Sequence, residues 1–273
     1  IGEAGLEWLT MLDARVSVPT VLNPVGMDRV RWREMKINPD FAKKQEEVIN
    51  AYARLGIKLE CTCTPYYIYQ TRFGDHLAWS ESSAVAYANS VIGARTNREG
   101  GPSALAAAII GKTPEYGLHR VEDRKPQVVL NIDGATGWNE TALYGALGYY
   151  VGSEVGDKIP YLQGVRPKRN HLKALGAAMA ASGAVALFHV EGITPEARIF
   201  AYDVSGLEVI MVEPEEVLAL MNTIPVDAVA LGCPHCSAEE LTEIAGLLEG
   251  RSVTRPLYIF AARKVIEASA DAV

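Results

Sequence analysis

Apolar residues recur at two different spacings along the chain, and the alternation of these spacings predicts the fold class. Helical spacing covers residues 3–12, 41–55, 83–94, 103–110, 141–151, 171–181, 214–221 and 238–248. Continuous or β-branched apolar runs cover residues 15–22, 57–61, 127–132, 184–190, 208–212, 228–231 and 257–261. Apolar strands separated by helices are typical of parallel sheets buried between helices. We therefore predict an α/β fold with mainly parallel sheets flanked by helices.

The boundaries between lobes are only weakly marked in this pattern. There is no repeat of fixed period and no linker rich in proline or serine. The most polar stretch between two elements is RVEDRKP, at residues 120–126. We predict that it separates a first α/β lobe, residues 1–124, from a second, residues 125–273. A second soft boundary is possible near Ser205-Gly206.

Four of the predicted strands end in a polar or thiol group, and this suggests where a ligand would bind. In open parallel sheets, ligands bind at the carboxyl ends of the strands. We predict that four such ends line one cleft. They are Asn23-Pro24, Cys63-Thr64-Pro65, His189-Val190-Glu191-Gly192 and Gly232-Cys233-Pro234-His235.

Charge and composition exclude several classes of function. The 273 residues include 26 basic and 33 acidic side chains, a net charge of −7, which argues against broad binding to nucleic acid or to an anionic membrane. A local basic pocket for a small anionic substrate remains compatible with this charge. Four cysteines in a chain of this length do not form a disulfide scaffold, so we expect a reducing, cytoplasmic setting.

The longest apolar stretch, residues 174–190, is a candidate for a membrane span. Ser182-Gly183 interrupts it, and a β-prone run follows, so a helix, a turn and a buried strand explain it better than a bilayer crossing. The chain starts at Ile1, and no basic segment is followed there by an apolar one. We therefore expect no signal peptide and a processed or trimmed chain.

The cysteines form two pairs far apart in the sequence, Cys61-Thr-Cys63 and Cys233-Pro-His-Cys236. Their spacing leaves three interpretations open: free buried thiols, a metal or iron–sulfur site, and a redox pair. A redox pair has its first cysteine at a helix N-terminus, whereas the predicted helix here begins after Cys236. Placement of both pairs at strand ends favours the metal interpretation.

Residues 79–103, WSESSAVAYANSVIGARTNREGGPS, form an unusually polar block around two short helices. Helix capping accounts for some of its serines. It does not account for Arg95, Arg98 and Glu99 beside Gly100-Gly101. Arginine forks next to backbone N–H groups of a glycine-rich turn suit a carboxylate or a phosphate. A solvated loop is the alternative.

The five histidines fall into two groups by position. His76, His119 and His171 are expected to serve structure or surface. His189 and His235 follow predicted strands and are candidates for proton transfer or polar anchoring.

Several segments together resemble one protein family. They are TCTPYY (62–67), GDHLAWSESSAVAYANSVIGARTNREGGPSALAAAIIGKTPEYGLH (74–119), ALFHVEGITPE (186–196) and GCPH (232–235). These segments are similar in sequence to the aconitase X family, a branch of the iron–sulfur hydro-lyases. The resemblance covers nearly the whole chain. It implies an aconitase-like fold. Because family members extend before Ile1 and beyond Val273, it also implies that this chain is part of a large subunit.

The resemblance implies a dehydratase. The family includes enzymes that act on mevalonate 5-phosphate and enzymes that act on cis-3-hydroxy-L-proline. Because no small domain is fused to this chain, we expect dehydration of mevalonate 5-phosphate to trans-anhydromevalonate 5-phosphate, with hydroxyproline as the alternative substrate. An alternative of another class is a noncatalytic assembly subunit that has lost its cluster.

The resemblance also implies a cofactor and a partner. Cys63 and Cys233 would be ligands of an iron–sulfur cluster, with [4Fe-4S] favoured over [2Fe-2S]. The family's third ligand cysteine lies in a C-terminal segment that has no counterpart before Val273. The expected partner is a small swivel-domain subunit that supplies a catalytic serine.

Carried onto this chain, the resemblance gives a set of site residues. Glu99 would lie near the iron and the departing hydroxyl, and His189 and His235 are further catalytic candidates. Arg95 and Arg98 would hold the anionic groups. The complete predicted set of substrate-binding residues is Asn23, Ser80, Ser82, Ser83, Arg95, Asn97, Arg98 and Ser103.

Overall fold

The computed structural model describes residues 2–135, 137–221 and 224–270. Its helices are α1 (Gly2–Met11), α2 (Pro39–Arg54), α3 (Ser82–Tyr87), α4 (Gly101–Ile110), α5 (Thr141–Val155), α6 (Arg169–Ser182), α7 (Pro195–Phe200), α8 (Pro214–Ala219), α9 (Ala238–Leu248) and α10 (Arg263–Ala268). Its strands are β1 (Val128–Asn131), β2 (Pro160–Gln163), β3 (His189–Val190), β4 (Val209–Met211), β5 (Val229–Cys236) and β6 (Leu257–Ala261).

Two parallel sheets organise the second half of the chain. The first has the strand order β3-β2-β1-β4, and the second pairs β5 with β6. Every strand pair in both sheets is parallel, which confirms the predicted α/β class. Helices α5 and α6 pack on the larger sheet and on each other, with Leu130, Leu147, Leu162 and Leu175 fully buried between them.

The contact between α5 and α6 depends on small residues. A Cβ atom added at Gly148 would lie 2.3 Å from the carbonyl oxygen of Leu175, closer than any side chain could approach. Glycine at this position therefore allows the two backbones to meet, and the apolar side chains around them fill a single core.

The first third of the chain is less regular than predicted. Residues 15–22 and 57–61 are not strands, because they pair only through a parallel bridge between Val21 and Lys58 with two flanking hydrogen bonds. Pro19 has no N–H to extend that pairing. This extended pair nevertheless packs against α1, α2 and α4 through a small apolar cluster that contains Leu9 and Leu105.

Other element boundaries differ from the prediction for identifiable reasons. The predicted helix 83–94 is α3 followed by a π-helical turn from Ala88 to Ile92. The predicted strand 184–190 shrinks to β3, because side chains of the π turn take its backbone groups: Ser90 Oγ accepts from Phe188 N, and Asn89 Nδ2 donates to the Ala186 carbonyl. β2, α7 and α10 have no counterpart in the prediction.

The apolar stretch 174–190 is divided as expected, since α6 ends at Ser182 and β3 begins at His189. Among the helices that the structure describes, none is both long enough and apolar enough to cross a bilayer.

Candidate functional site

A cleft of about 1210 Å³ opens within residues 18–122. It lies between residues 18–23, residues 69–81, one face of α4 and residues 111–122. Asn23 and Ser80 meet in its wall, where Asn23 Nδ2 donates to Ser80 Oγ over 2.9 Å. Glu81 and Arg95 line the same cleft. The cleft therefore contains both polar and charged groups and has room for a small anionic ligand.

Two segments run side by side in parallel and form one wall of the cleft. Arg95 N donates to the Asp75 carbonyl (2.8 Å), and Leu77 N donates to the Arg95 carbonyl (2.9 Å). Further along, Glu99 N donates to the Trp79 carbonyl (3.1 Å). This pairing brings the GDHLAWSE segment (74–81) against the ARTNRE loop (94–99), so that polar residues of both face one space.

A buried arginine, Arg124, holds the ARTNRE loop in place. The Arg124 side chain, 1% exposed, donates to Asn89 Oδ1 and to the carbonyls of Ala94 and Leu118, while its Nε donates to Glu196 Oε1 over 2.7 Å. The Asn89 side chain in turn holds the backbone of Thr96: its Nδ2 donates to the Thr96 carbonyl, and its Oδ1 accepts from Thr96 N. Arg124 therefore sets the position of the loop that carries Arg95 and Arg98.

The two cysteine motifs meet beside this cleft. His235 N, in β5, donates to the Sγ atom of Cys63 over 3.1 Å, and His235 Nδ1 lies 3.1 Å from Thr62 Oγ1. Pro65, two residues after Cys63, lines the cleft. Gly232 has a φ of +102°, and a Cβ there would lie 2.2 Å from the Phe260 carbonyl oxygen, so glycine is required where β5 passes β6 just before Cys233.

A buried ion pair holds the GCPH segment (232–235) in place. Lys173, in α6, donates to the His235 carbonyl (3.0 Å) and forms an ion pair with Glu240, in α9. Glu240 also accepts from Ser237 N and so completes a capping box at the start of α9. These contacts tie the larger sheet's helix layer to the strand that carries Cys233.

Burial controls the protonation of the groups around the thiols. Burial raises the pKa of the Cys63 thiol to about 11, and the nearby Glu81 and Cys233 add smaller effects in the same direction. Burial also raises the pKa of Glu81, which Ser83 and Arg98 partly oppose. Burial and then Lys173 lower the pKa of His235. Glu81 therefore lies close enough to Cys63 and to Arg98 to interact electrostatically with both.

The structure gathers only some of the predicted site residues in the cleft. Of that set, Asn23, Ser80 and Arg95 line it. The expectation that four strand ends share one cleft is wrong: Asn23 and Pro65 lie in the cleft, but the segments at 189–192 and 232–235 do not line it. The physical reason is that these ends do not belong to one sheet. Two of them follow the segments joined by the isolated Val21–Lys58 bridge, and the other two belong to β3 and β5, which lie in different sheets.

Several of the other polar residues of the block have structural partners. Asn97 Nδ2 donates to the Tyr116 carbonyl and its Oδ1 accepts from Leu118 N, so its amide holds the next loop. Ser103 Oγ donates to Glu99 Oε2 over 2.5 Å. Ser83 Oγ lies 3.5 Å from Glu81 Oε1, Ser82 begins α3, and Arg98 is exposed.

His189 lies in the interior rather than in the cleft lining. It is 1% exposed, its Nε2 lies 2.8 Å from the Arg124 carbonyl, and its ring packs against Tyr202. Burial lowers the pKa of His189 to about 4. These contacts fit a neutral histidine that supports the Arg124 network, and its catalytic role stays a prediction.

The buried state of His189 predicts a pH dependence of stability. The unfolded chain protonates this ring near pH 6.5 and the folded chain only near pH 4, so the folded state loses stability as pH falls through that window. We expect His189 to contribute a loss of about 2 kcal/mol in the free energy of unfolding between pH 7.5 and pH 5. Urea titrations of the wild type and His189→Asn measure this slope, and parallel slopes would contradict the assignment.

Sequence reasoning missed three residues that line the cleft: Glu81, His76 and His119. Glu81 lies in the middle of the WSESS run, inside the polar block 79–103, and His76 lies three residues before that block, in GDH. The available signal was the position of Glu81 within the block and of His76 next to it. His119 carried no such signal, because its proximity to His76 is a tertiary contact across 43 residues.

The thiols are donors of the kind that a metal site uses. Cys63 and Cys233 offer soft thiolate donors, and a backbone N–H bonded to sulfur is typical around iron–sulfur clusters. Within residues 2–135, 137–221 and 224–270, no group of three or more His, Cys, Asp or Glu side chains is arranged to hold a metal ion. The described residues thus fit two positions of a cluster and do not supply a third.

The chain is similar over most of its length to a solved structure and to several curated proteins. The crystal structure of Thermococcus kodakaraensis aconitase X in its holo-form is similar to the chain with a TM-score of 0.89 and 47% identity, covering 100% of this chain and 70% of that one. The phosphomevalonate dehydratase large subunit of Methanosarcina mazei is 49% identical over 272 residues, 98% of this chain and 67% of that protein. The cis-3-hydroxy-L-proline dehydratase of Pseudomonas aeruginosa is 37% identical, covering 92% and 46%.

The chain spans about two thirds of the length of the curated large subunits that it matches. Family models for the first, second and third domains of aconitase X match residues 1–122, 126–222 and 226–273. The predicted family is confirmed, whereas the division into lobes at residues 124 and 125 stays a prediction. The matches run through the cleft, the thiol pair and both sheets, and this chain therefore belongs to the aconitase X family.

Proposed function

We propose that this chain is the large subunit of a hydro-lyase that dehydrates mevalonate 5-phosphate. Four curated relatives that are 46–49% identical are named phosphomevalonate dehydratase large subunit. The relatives named cis-3-hydroxy-L-proline dehydratase are more distant, at 34–37% identity. Dehydratases are hydro-lyases, so both names agree on the reaction type and differ in the substrate.

The observation that carries the proposal is the contact between the two cysteine motifs. Cys63 and His235 are 172 residues apart in sequence, yet the His235 N–H bonds to the Cys63 sulfur beside a cleft with charged walls. Cys63 and Cys233 would hold an iron–sulfur cluster, which supplies a Lewis acid for a departing hydroxyl when bound. The family relationship points to such a cofactor, and a [4Fe-4S] cluster is part of the proposal.

The residues around the thiols suit the reacting end of the substrate. Mevalonate 5-phosphate carries a carboxylate, a tertiary hydroxyl and a phosphate, and water is lost across the carbons next to the carboxylate. Arg98 is exposed beside Glu81, and neither makes a strong ion pair within the described residues. We assign the carboxylate to Arg98 and a hydrogen-bonding role near the hydroxyl to Glu81.

The roles of the remaining predicted residues follow from their contacts. Glu99 already accepts from Ser103, so we propose that it orients the turn at the start of α4 and acts near the hydroxyl only through that turn. Asn23 and Ser80, which bond to each other in the cleft wall, are proposed substrate contacts. His235 lies beside both Thr62 and Cys63, where it would position the thiol pair.

A partner subunit completes the proposal. The relatives' designation as large subunits implies that a small subunit accompanies them. We propose that this chain assembles with such a subunit, a swivel domain whose serine takes the proton. On that basis the partner subunit, and not this chain, supplies the base.

The test is a comparison of two substrates. The complex of this protein with its small subunit is purified without oxygen, and the formation of the alkene product is followed with mevalonate 5-phosphate and with cis-3-hydroxy-L-proline. We expect kcat/KM to be at least 100-fold higher for mevalonate 5-phosphate, because two anionic contacts are each worth about 1.5–3 kcal/mol. A preference for hydroxyproline would overturn the substrate, and a folded, iron-loaded complex inactive on both would support the noncatalytic alternative.

A further inference from the structure

Two histidines stack in the wall of the cleft. The Nδ1 atoms of His76 and His119 are 2.9 Å apart, and the two rings are nearly parallel, with an interplanar angle of 11°. His76 is exposed and lines the cleft, whereas His119 is 3% exposed and has its Nε2 3.3 Å from Thr113 Oγ1. A contact of this length requires that one Nδ1 carries a proton and the other does not.

This contact determines how many hydrogen-bond donors the pair can offer. When both rings are neutral, the ring that donates through Nδ1 has a bare Nε2, so the pair has one Nε2–H. One added proton gives both rings an Nε2–H and leaves the Nδ1 contact intact. The pair therefore changes from a neutral group to a cation in which the Nε2–H of His119 is directed at Thr113 Oγ1 and that of His76 is available to the cleft.

The surroundings of the pair are cationic. Arg95 Nη1 lies 3.4 Å from the His119 carbonyl, and its Nε is buried with no hydrogen-bond partner among the residues that the structure describes. Lys112 is exposed and lines the same cleft. An unpaired, buried guanidinium nitrogen is costly unless a ligand or water satisfies it.

The acidic groups nearby are mostly engaged. Asp75 accepts from Arg72 N, Glu122 and Asp123 bind Arg120, and Glu99 accepts from Ser103. Glu115 lies on the rim of the cleft. Burial lowers the pKa of His119, and His76, Arg124 and Arg95 lower it further, while Glu99 opposes them. Without an anion, the buried His119 ring is therefore expected to be neutral near pH 7.

We propose that His76, His119 and Arg95 form a subsite for the substrate's phosphate, and that the histidine pair takes up a proton from solvent when this dianion binds. This inference rests on the proposed function and adds the residues that select a phosphorylated substrate. The carboxylate end goes to the thiols, because it adjoins the carbons that lose water. The phosphate, separated from those carbons by two methylenes, goes to the histidine pair and Arg95.

Proton uptake can be measured without any variant. Sulfate is a tetrahedral dianion with no titrating proton near neutral pH, so any proton bound with it enters the protein. The heat of sulfate binding to the assembled complex is measured at pH 7.5 in two buffers of different ionisation enthalpy. We expect the two heats to differ by the uptake of up to one proton per sulfate. Equal heats in the two buffers would overturn the proposal.

A substitution at His76, the exposed member of the pair, tests whether the histidine pair takes up the proton. His76→Gln keeps a polar side chain in the cleft but cannot accept the added proton. We expect it to abolish proton uptake, weaken sulfate binding about 10-fold and raise KM for mevalonate 5-phosphate about 10- to 100-fold, with kcat changed less than about 5-fold. The control is His171→Gln, which removes an imidazole from α6 away from the cleft lining and should leave KM unchanged.

The outcomes separate this inference from the proposed function. If His76→Gln leaves KM and sulfate affinity unchanged while the complex turns over mevalonate 5-phosphate, the subsite is wrong and the function stands. If sulfate binds with proton uptake that depends on His76, but mevalonate 5-phosphate is not dehydrated, the anion subsite stands and the proposed function is wrong. Melting temperatures of both variants show whether a loss comes from unfolding.

Discussion

Replacing Cys63 or Cys233 with serine is expected to abolish both the visible absorption and the dehydratase activity of the anaerobically reconstituted complex. Serine is nearly isosteric with cysteine, but its hydroxyl is a hard donor with a much higher pKa and binds iron in clusters far more weakly. The Cys63 sulfur also accepts the His235 N–H, so its loss removes one of the contacts that join the two motifs. The measurement is the absorption spectrum together with iron and sulfide content per complex.

Cys61→Ser is the matched control for this loss. Cys61 lies two residues from Cys63, but it is half-buried beside Arg29 and Glu46 rather than against β5. We expect this variant to retain most of its iron and most of its activity. Equal losses from substitution of every cysteine would contradict a specific ligand role and would indicate general destabilisation of the thiol-rich region.

Replacing Arg124 with methionine is expected to lower the free energy of unfolding by about 3–5 kcal/mol. Arg124 and Glu196 form an ion pair in which both side chains are almost fully buried. The substitution leaves the Glu196 carboxylate without its partner and removes the donors that Asn89 and the Ala94 carbonyl use. Urea unfolding gives the free energy, and the ARTNRE loop should lose hydrogen-exchange protection with it.

Arg120→Met provides the comparison for Arg124 from the same short segment. Arg120 is exposed and pairs with Glu122 and Asp123 on the surface. Exposed ion pairs contribute about 0–1 kcal/mol, so we expect a change within that range. Similar costs for the two substitutions would contradict the central place given to Arg124, since the difference between them rests on burial alone.

Arg124 also shows where sequence reasoning fails. RVEDRKP looks like a solvated boundary, because five of its seven residues are charged. In the structure the Arg124 side chain is among the most buried in the described chain. Its partner Glu196 is 72 residues away, and no local pattern in the sequence records that distance. A charged stretch can therefore contain a buried tertiary contact as well as surface residues.

Local signals were sufficient where an element has its own caps and a clear apolar face. The predicted helix 238–248 and strand 257–261 match α9 and β6 to the residue, and α9 begins with a complete capping box at Ser237. β2 was missed because PYLQ is short and starts with proline, and its pairing with β1 and β3 stabilises it. α9 and β6 could therefore be predicted from local signals, whereas β2 depends on tertiary pairing, which sequence periodicity does not encode.

The cysteine motifs illustrate the same limit at the site. Spacing left free thiols, a metal site and a redox pair open. The structure separates the four thiols: Cys236 packs in an apolar cluster with Leu241 and Val265, whereas Cys63 lies against the segment that carries Cys233. Burial also raises the pKa of Cys236, which disfavours a reactive thiolate there.

The most direct test of an iron-dependent hydro-lyase is the rate of dehydration as a function of bound iron. The complex of this protein with its small subunit is loaded anaerobically with increasing amounts of iron and sulfide, and the conversion of mevalonate 5-phosphate to its alkene product is measured in each sample. We predict a rate that rises in proportion to bound iron and is absent from the iron-free complex. Equal turnover with and without iron, or full iron loading with no turnover, would contradict the account.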